Sequence, residues 1–73
     1  MPNKTFIIRF TLREPKAGIA YEEQEHTNYT DAFESFRLFV EYTSIQLYSR
    51  IELSVYDWNK CVSTPIATLD LHA

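Results

Sequence analysis

The sequence predicts one small α+β domain of ββαββ architecture, a four-stranded, mostly antiparallel sheet with a single helix on one face. Three observations carry this expectation. Apolar and polar residues alternate strictly at 5–13, and alternation recurs from Arg50 through Val55 of the stretch 50–58, the period-2 signature of a half-buried strand. Between them, residues 30–48 repeat their apolar positions at helical spacing. Pro15 with Gly18, and Asn59 to Cys61, punctuate the strands with turn chemistry.

The first strand places Phe6, Ile8, Phe10 and Leu12 on one side and Thr5, Ile7, Arg9, Thr11 and Arg13 on the other. Residues 14–18 form the loop that turns it back. A second strand follows over Ile19–Thr27, polar on both sides after Tyr21, as suits an unpaired edge where charge discourages further chains from adding on. Thr30 is the expected N-cap of a helix running to about Tyr48, with Asp31 and Glu34 at the positive end of its dipole. Its stripe of Ala32, Phe36, Phe39, Val40, Thr43 and Leu47, bordered by Phe33, covers the sheet. In the third strand, Arg50–Trp58, Ile51, Leu53 and Val55 face the helix, and Glu52, Ser54, Tyr56 and Trp58 face away. The last strand is expected to begin after Pro65, because proline lacks the N–H a ladder needs. Ala67, Leu69 and Leu71 then point inward, and Ile66 and Thr68 outward. The apolar first strand belongs inside the sheet, and the acidic second and proline-bearing fourth at its edges. This favours strand order 2-1-3-4 over 2-1-4-3, in which the first and last strands pair in parallel.

At 73 residues the chain has room for one hydrophobic core, so residues 1–73 are read as one domain. A hydrophobic fraction of 45% against 23% charged places it among globular chains. Cys61 is the sole cysteine, so neither an internal disulfide nor a cysteine-based zinc site is available. The five Phe, five Tyr and one Trp must supply the core instead. Arg9 interrupts the N-terminal apolar run well short of the roughly 7 residues a signal peptide requires. No window approaches the roughly 20 apolar residues of a membrane helix. The expectation is therefore a cytoplasmic protein without membrane association.

Catalysis needs a nucleophile beside a base, paired carboxylates in a cleft, or a metal with an open position. None is legible here, so no enzymatic activity, catalytic residue, cofactor or metal is expected. His26 lies among glutamates and His72 near the end of the chain, and both read as solvated. Cys61, with only Lys60 beside it, reads as an ordinary thiol, and a single glycine, Gly18, excludes a Gly-rich phosphate loop.

The remaining candidates are surfaces for partners. No Lys or Arg occurs from Ala17 to Phe36, where Glu22, Glu23, Glu25, Asp31 and Glu34 concentrate negative charge, whereas residues 1–16 are net positive. A net charge of −3 and pI near 5.2 argue against duplex nucleic acid, whose binding is driven by cationic side chains. The acidic stretch is instead a candidate for a protein partner with a basic surface, set against the plainer reading of a solvated edge. A second candidate is the sheet face away from the helix, where parity gathers Ile7, Tyr56, Trp58 and Ile66 as a homodimer or protein contact. Trp58 folding over the hairpin end is the alternative. Arg9, Arg13 and Arg50 share that face, a combination on which single-stranded nucleic acid could stack. A third candidate is a second helical stripe of Leu38, Tyr42 and Ile45, which either packs under the following loop or forms a partner-binding ridge.

The succession Thr-Asp-Ala-Phe-Glu-Ser-Phe at 30–36, Arg-Ile-Glu-Leu-Ser-Val-Tyr-Asp at 50–57 and Ile-Ala-Thr-Leu-Asp at 66–70 resembles small ββαββ orphan proteins of phages and mobile elements, including anti-CRISPR-type inhibitors. The likeness is architectural and covers the part of the chain from Thr30 onward, so it carries no site residue over. It implies a non-enzymatic inhibitor of a host nucleic-acid-binding defence complex, acting through an acidic surface. The chain is less acidic than full mimicry of a DNA duplex would require. A small homodimeric structural or regulatory protein, associating through its open sheet face, is the alternative.

Overall fold

The structure, a computed structural model, describes residues 3–72; Met1, Pro2 and Ala73 of the expected domain lie outside the described residues. The elements run β1 (Lys4–Lys16), β2 (Ile19–His26), α1 (Tyr29–Tyr42), β3 (Tyr48–Asp57) and β4 (Val62–Asp70). They build one antiparallel sheet of order β2-β1-β3-β4. β1 pairs with β3 from Lys4 opposite Asp57 to Leu12 opposite Tyr48, which excludes the 2-1-4-3 order. Principal extents of 38 × 27 × 15 Å correspond to two layers, sheet and helix.

Alternation places the core where the sequence puts it. Ile8, Ile51 and Leu53 are completely buried, joined by Ala32 and Phe36 of α1 and by Leu71. Phe6, Phe10, Phe39, Tyr48, Ala67 and Leu69 pack around them. Each fully buried Ile or Leu stabilises the fold by about 1.5–3 kcal/mol. Phe10 meets Phe39 edge-on at 4.8 Å between ring centroids, a contact that seats the last helical turn on the sheet centre.

Several element boundaries differ from expectation. Asn28, not Thr30, is the N-cap: its Oδ1 accepts from the Asp31 N–H at 2.9 Å while its Nδ2 donates to Asp31 Oδ2 at 2.8 Å. Asn caps better than Thr, and the reciprocal bond to Asp31 adds to that advantage. The helix stops at Tyr42, six residues before the expected Tyr48. Thr43 turns extended (φ −72, ψ 140), and no basic residue in the last turn supports the exposed carbonyls. Residues 43–47 become a loop held from outside. The backbone N–H of Arg13 donates to Leu47 O, and its guanidinium donates to Ile45 O, Tyr48 O and Leu71 O at 2.8–3.1 Å.

The sheet contains three irregularities that parity alone does not reveal, the first on β1, where residues 12–15 stand against Ala20 alone between the Thr11–Tyr21 and Lys16–Ile19 pairs. Ser49 is an extra residue on β3, lying between the Thr11–Arg50 and Leu12–Tyr48 pairs. This bulge turns Tyr48 to the helix side, where its ring lies 5.6 Å from that of Phe10. On β4, which starts at Val62 rather than after Pro65, Ile66 is the extra residue between Pro65 opposite Ser54 and Ala67 opposite Leu53. An edge strand with a bulge tolerates an internal proline. β3 ends at Asp57, so Trp58 belongs to the turn. Asp57 Oδ1 there accepts from the N–H groups of Asn59 and Lys60.

The β1–β2 turn is tighter than expected. Residues 14–16 are strand, and only Ala17 and Gly18 connect Lys16 to its partner Ile19. Both have positive φ, +53 and +82, as a type I′ turn demands. Alanine is strained there, whereas asparagine followed by glycine is the preferred pair.

Two outcomes are expected. Ala17→Asn raises stability by about 0.5–1 kcal/mol, seen as a higher melting temperature in calorimetry. Arg13→Lys lowers it by about 1–2 kcal/mol, because one ammonium cannot satisfy carbonyls from three segments. Urea unfolding measures the difference, and an unchanged midpoint would show that the loop holds without this tie.

Candidate interaction surfaces

The sheet face opposite the helix is built by the register of the central strands. Thr5, Ile7, Arg9 and Thr11 of β1 lie opposite Tyr56, Ser54, Glu52 and Arg50 of β3. The result is more polar than an apolar docking face. Arg9 donates to Glu23 Oε2 at 2.8–3.0 Å and lies over the Tyr21 ring, 4.2 Å from its centroid. The bond to Glu23 is the main cause that raises the pKa of Arg9 above its ordinary value. Arg50 is bound to Asp70 at 2.7 Å, with Glu52 at 3.9 Å. With Arg13 held by carbonyls, all three arginines named for this face are engaged within the monomer, which removes the free cations that stacking of single-stranded nucleic acid would use.

An apolar cluster survives at one end of this face. Tyr56 and Trp58 meet edge-on at 4.7 Å, and Trp58 Nε1 donates to Thr5 Oγ1 at 2.7 Å. Trp58 remains 58% exposed, so it is pinned beside the sheet without being buried by it. Ile7 is half-buried two residues along β1, and Ile66 stands exposed in the β4 bulge. The Tyr56 hydroxyl is held above its ordinary pKa chiefly by the neighbouring Cys61 thiol, whose Sγ donates to Trp58 O at 3.8 Å. That thiol is exposed, at positive φ.

The acidic residues do not share one face. Strand alternation sends Glu23 and Glu25 to the open face, opposite Arg9 and Ile7, and Glu22 to the helix side, opposite Phe10. Asp31 is consumed in the helix cap. Glu34 stands on the second turn of α1 and, with Glu25, makes no side-chain hydrogen bond or ion pair among the described residues. What unites the set is position: β2 is a sheet edge, and the start of α1 follows it directly. The negative charge therefore wraps one edge of the molecule on both sides.

The helical ridge is shorter than expected. Leu38 and Tyr42 are exposed on α1, Tyr42 at 76%, but Ile45 lies in the loop beyond it, its carbonyl held by Arg13. Val40 and Leu47, expected in the core stripe, are exposed. Leu47 instead joins Ile19, Leu12 and Tyr48 in a groove between β2 and the 43–47 loop. The helical spacing of 43–48 hides this groove from the sequence. The Thr43-Ser44 pair, without a cation nearby, was the available signal. Within the groove, Tyr48 Oη donates to Glu22 Oε2 at 2.9 Å.

Among the described residues, no group of three or more His, Cys, Asp or Glu is arranged to hold a metal ion. His26 Nε2 lies 2.9 Å from Gln24 Oε1, a neighbour on its own strand. No helix of the described residues is long and apolar enough to cross a membrane.

The Tyr48–Glu22 bond makes stability depend on alkaline pH. The hydrogen bond, and secondarily burial, raise the pKa of Tyr48 above 10.0. A raised value on an acid means that the folded state favours the protonated phenol. The contribution is thus complete below the unfolded value and is lost as pH rises through the folded one. Urea melts across that window should show Tyr48→Phe with a flatter alkaline limb than the parent; identical limbs would mean the bond does not contribute.

Comparison of the chain with protein-family models, with curated proteins and with solved structures found no match, so the fold and these surfaces are described on their own terms.

Proposed function

We propose that this chain is a non-enzymatic protein-binding module whose acidic edge, β2 together with the start of α1, engages a basic surface on a protein partner. The observation that carries the reading is that edge. Glu22, Glu23 and Glu25 lie on an outer strand, Asp31 and Glu34 follow on the adjoining helix, and no Lys or Arg occurs between Ala17 and Phe36. A one-signed edge steers association with an oppositely charged partner and loses strength as salt screens it. The resemblance to compact ββαββ inhibitors of phages and mobile elements supports a narrower form, an inhibitor that occludes the nucleic-acid channel of a host defence complex. A cytoplasmic location belongs to the same reading, and the unpaired Cys61 accords with a reducing compartment.

One observation favours a second reading. The Tyr56–Trp58 pair leaves an indole more than half exposed beside Ile66, the kind of aromatic anchor that homodimer interfaces bury. Sedimentation at rising concentration separates the two, because Trp58→Ser abolishes a dimer built on this cluster and leaves a charge-steered complex intact.

The acidic reading is tested with Glu25→Lys and Glu34→Lys together, since neither carboxylate supports the fold. Affinity capture from the source cell should lose its partner while the circular dichroism spectrum is unchanged. Capture of the same partner at equal yield would defeat the reading.

A further inference from the structure

Two adjoining cavities of about 430 and 490 Å³ share Glu22, Leu47 and Tyr48 and form one groove on the helix side of β2. Its outer half is lined by Leu12 and Ile19, and its inner half by Phe10, Phe39 and Tyr42. The groove exists because α1 stops at Tyr42 and the 43–47 loop is drawn toward Arg13, leaving this side of β2 only partly covered. Leu47 is 56% and Ile19 is 54% exposed. Apolar side chains of that size, half out of water along a cleft, are characteristic of binding grooves rather than of bare surface.

Charge singles out the occupant. The rim carries Glu14 and Glu22, with Lys16 as its cation. Glu22 Oε2 is engaged by the Tyr48 hydroxyl, which orients the carboxylate over the groove and leaves Oε1 to accept from a donor. A carboxylate already oriented by a hydrogen bond meets an arriving cation as a preset acceptor of a charge-assisted bond. We propose that the groove binds a short segment of a partner protein in which apolar side chains adjoin a lysine or arginine. The apolar side chains fill the Leu12–Ile19–Leu47 and Phe10–Phe39–Tyr42 halves, and the cation bonds to Glu22. This rests on the protein-binding reading above and adds to the edge's long-range attraction for a whole partner a short-range contact on its helix side, because alternation directs the Glu22 side chain into the groove and those of Glu23 and Glu25 to the opposite face.

The test uses the full chain, isotopically labelled, titrated with three short capped peptides followed by amide chemical shifts. One alternates leucine and arginine, one arginine and serine at equal charge, and one leucine and glutamate. The leucine–arginine peptide should saturably shift the amides of Ile19, Glu22, Leu47 and Tyr48 and bind about tenfold or more tighter than either control. Glu22→Gln and Leu47→Ser should each weaken it about tenfold, whereas Glu25→Lys should not. All three altered side chains are exposed, so a melting curve suffices to confirm that the variants fold. Equal binding of the arginine–serine peptide with shifts at Glu25 and Glu34 in place of Ile19 and Leu47 would overturn the groove and leave the acidic edge standing. Equal binding of the leucine–glutamate peptide would show that the rim charge selects nothing. Self-association abolished by Leu47→Ser would assign the groove to a second copy of the chain, and absence of groove shifts with every peptide would dismiss it.

Discussion

One constraint governs this molecule: a single helix must cover a sheet wider than itself. An α-helix with its side chains is about 10–12 Å across, and strands stand about 4.8 Å apart. It therefore shields roughly two strands and their flanks. α1 lies over the β1–β3 centre, and the completely buried side chains Ile8, Ile51 and Leu53 all come from those two strands. The outer strands receive partial cover, which accounts for the exposure of Ile19 on one side and Val62 on the other.

The chain meets the consequences of that geometry differently at its two edges. On β4, Pro65 and the Ile66 bulge interrupt the ladder, and such interruptions deter another strand from joining. On β2, glutamates project to both faces, which deters like chains and leaves the edge receptive to unlike ones. The open face is occupied by the Arg9–Glu23 and Arg50–Asp70 pairs, whose solvent exposure makes each a small contribution to stability but a large one to the polarity of the surface. Apolar surface on the sheet is thus concentrated at the Tyr56–Trp58 end and in the groove beside α1, while Phe33, Leu38, Val40 and Tyr42 expose a further apolar band on the helix.

Arg13 links these features. By parity it belongs to the outward set of β1, and it reaches carbonyls in the 43–47 loop, at the start of β3 and at Leu71. An arginine can do this because its planar fork presents several donors in fixed directions. The same bonds draw the loop into position and shape one wall of the groove. A side chain that reads as surface charge is therefore the tie between helix end, sheet and C-terminal segment.

Local patterning determined most of the architecture. The alternation of Phe6, Ile8 and Phe10, and of Ile51, Leu53 and Val55, defined two central strands with a known inner face. The acidic second strand and Pro65 named the edges, and from them followed the order β2-β1-β3-β4. These features are legible because burial on one face imposes a period that a short window already displays.

Tertiary structure alone decided where α1 ends, where Ser49 and Ile66 interrupt the register, and what Arg13 holds. Residues 43–48 carry a helical pattern that competes with sheet pairing of Tyr48 and with distant donors on Arg13, and neither competitor lies within a local window. The candidate surfaces divided along the same line. The sequence by itself placed the acidic residues on the second strand and the helix start. Whether neighbouring glutamates point together or apart, and whether Leu47 is core or groove, depended on pairing across the sheet, because the direction of a side chain is set by the strand beside it.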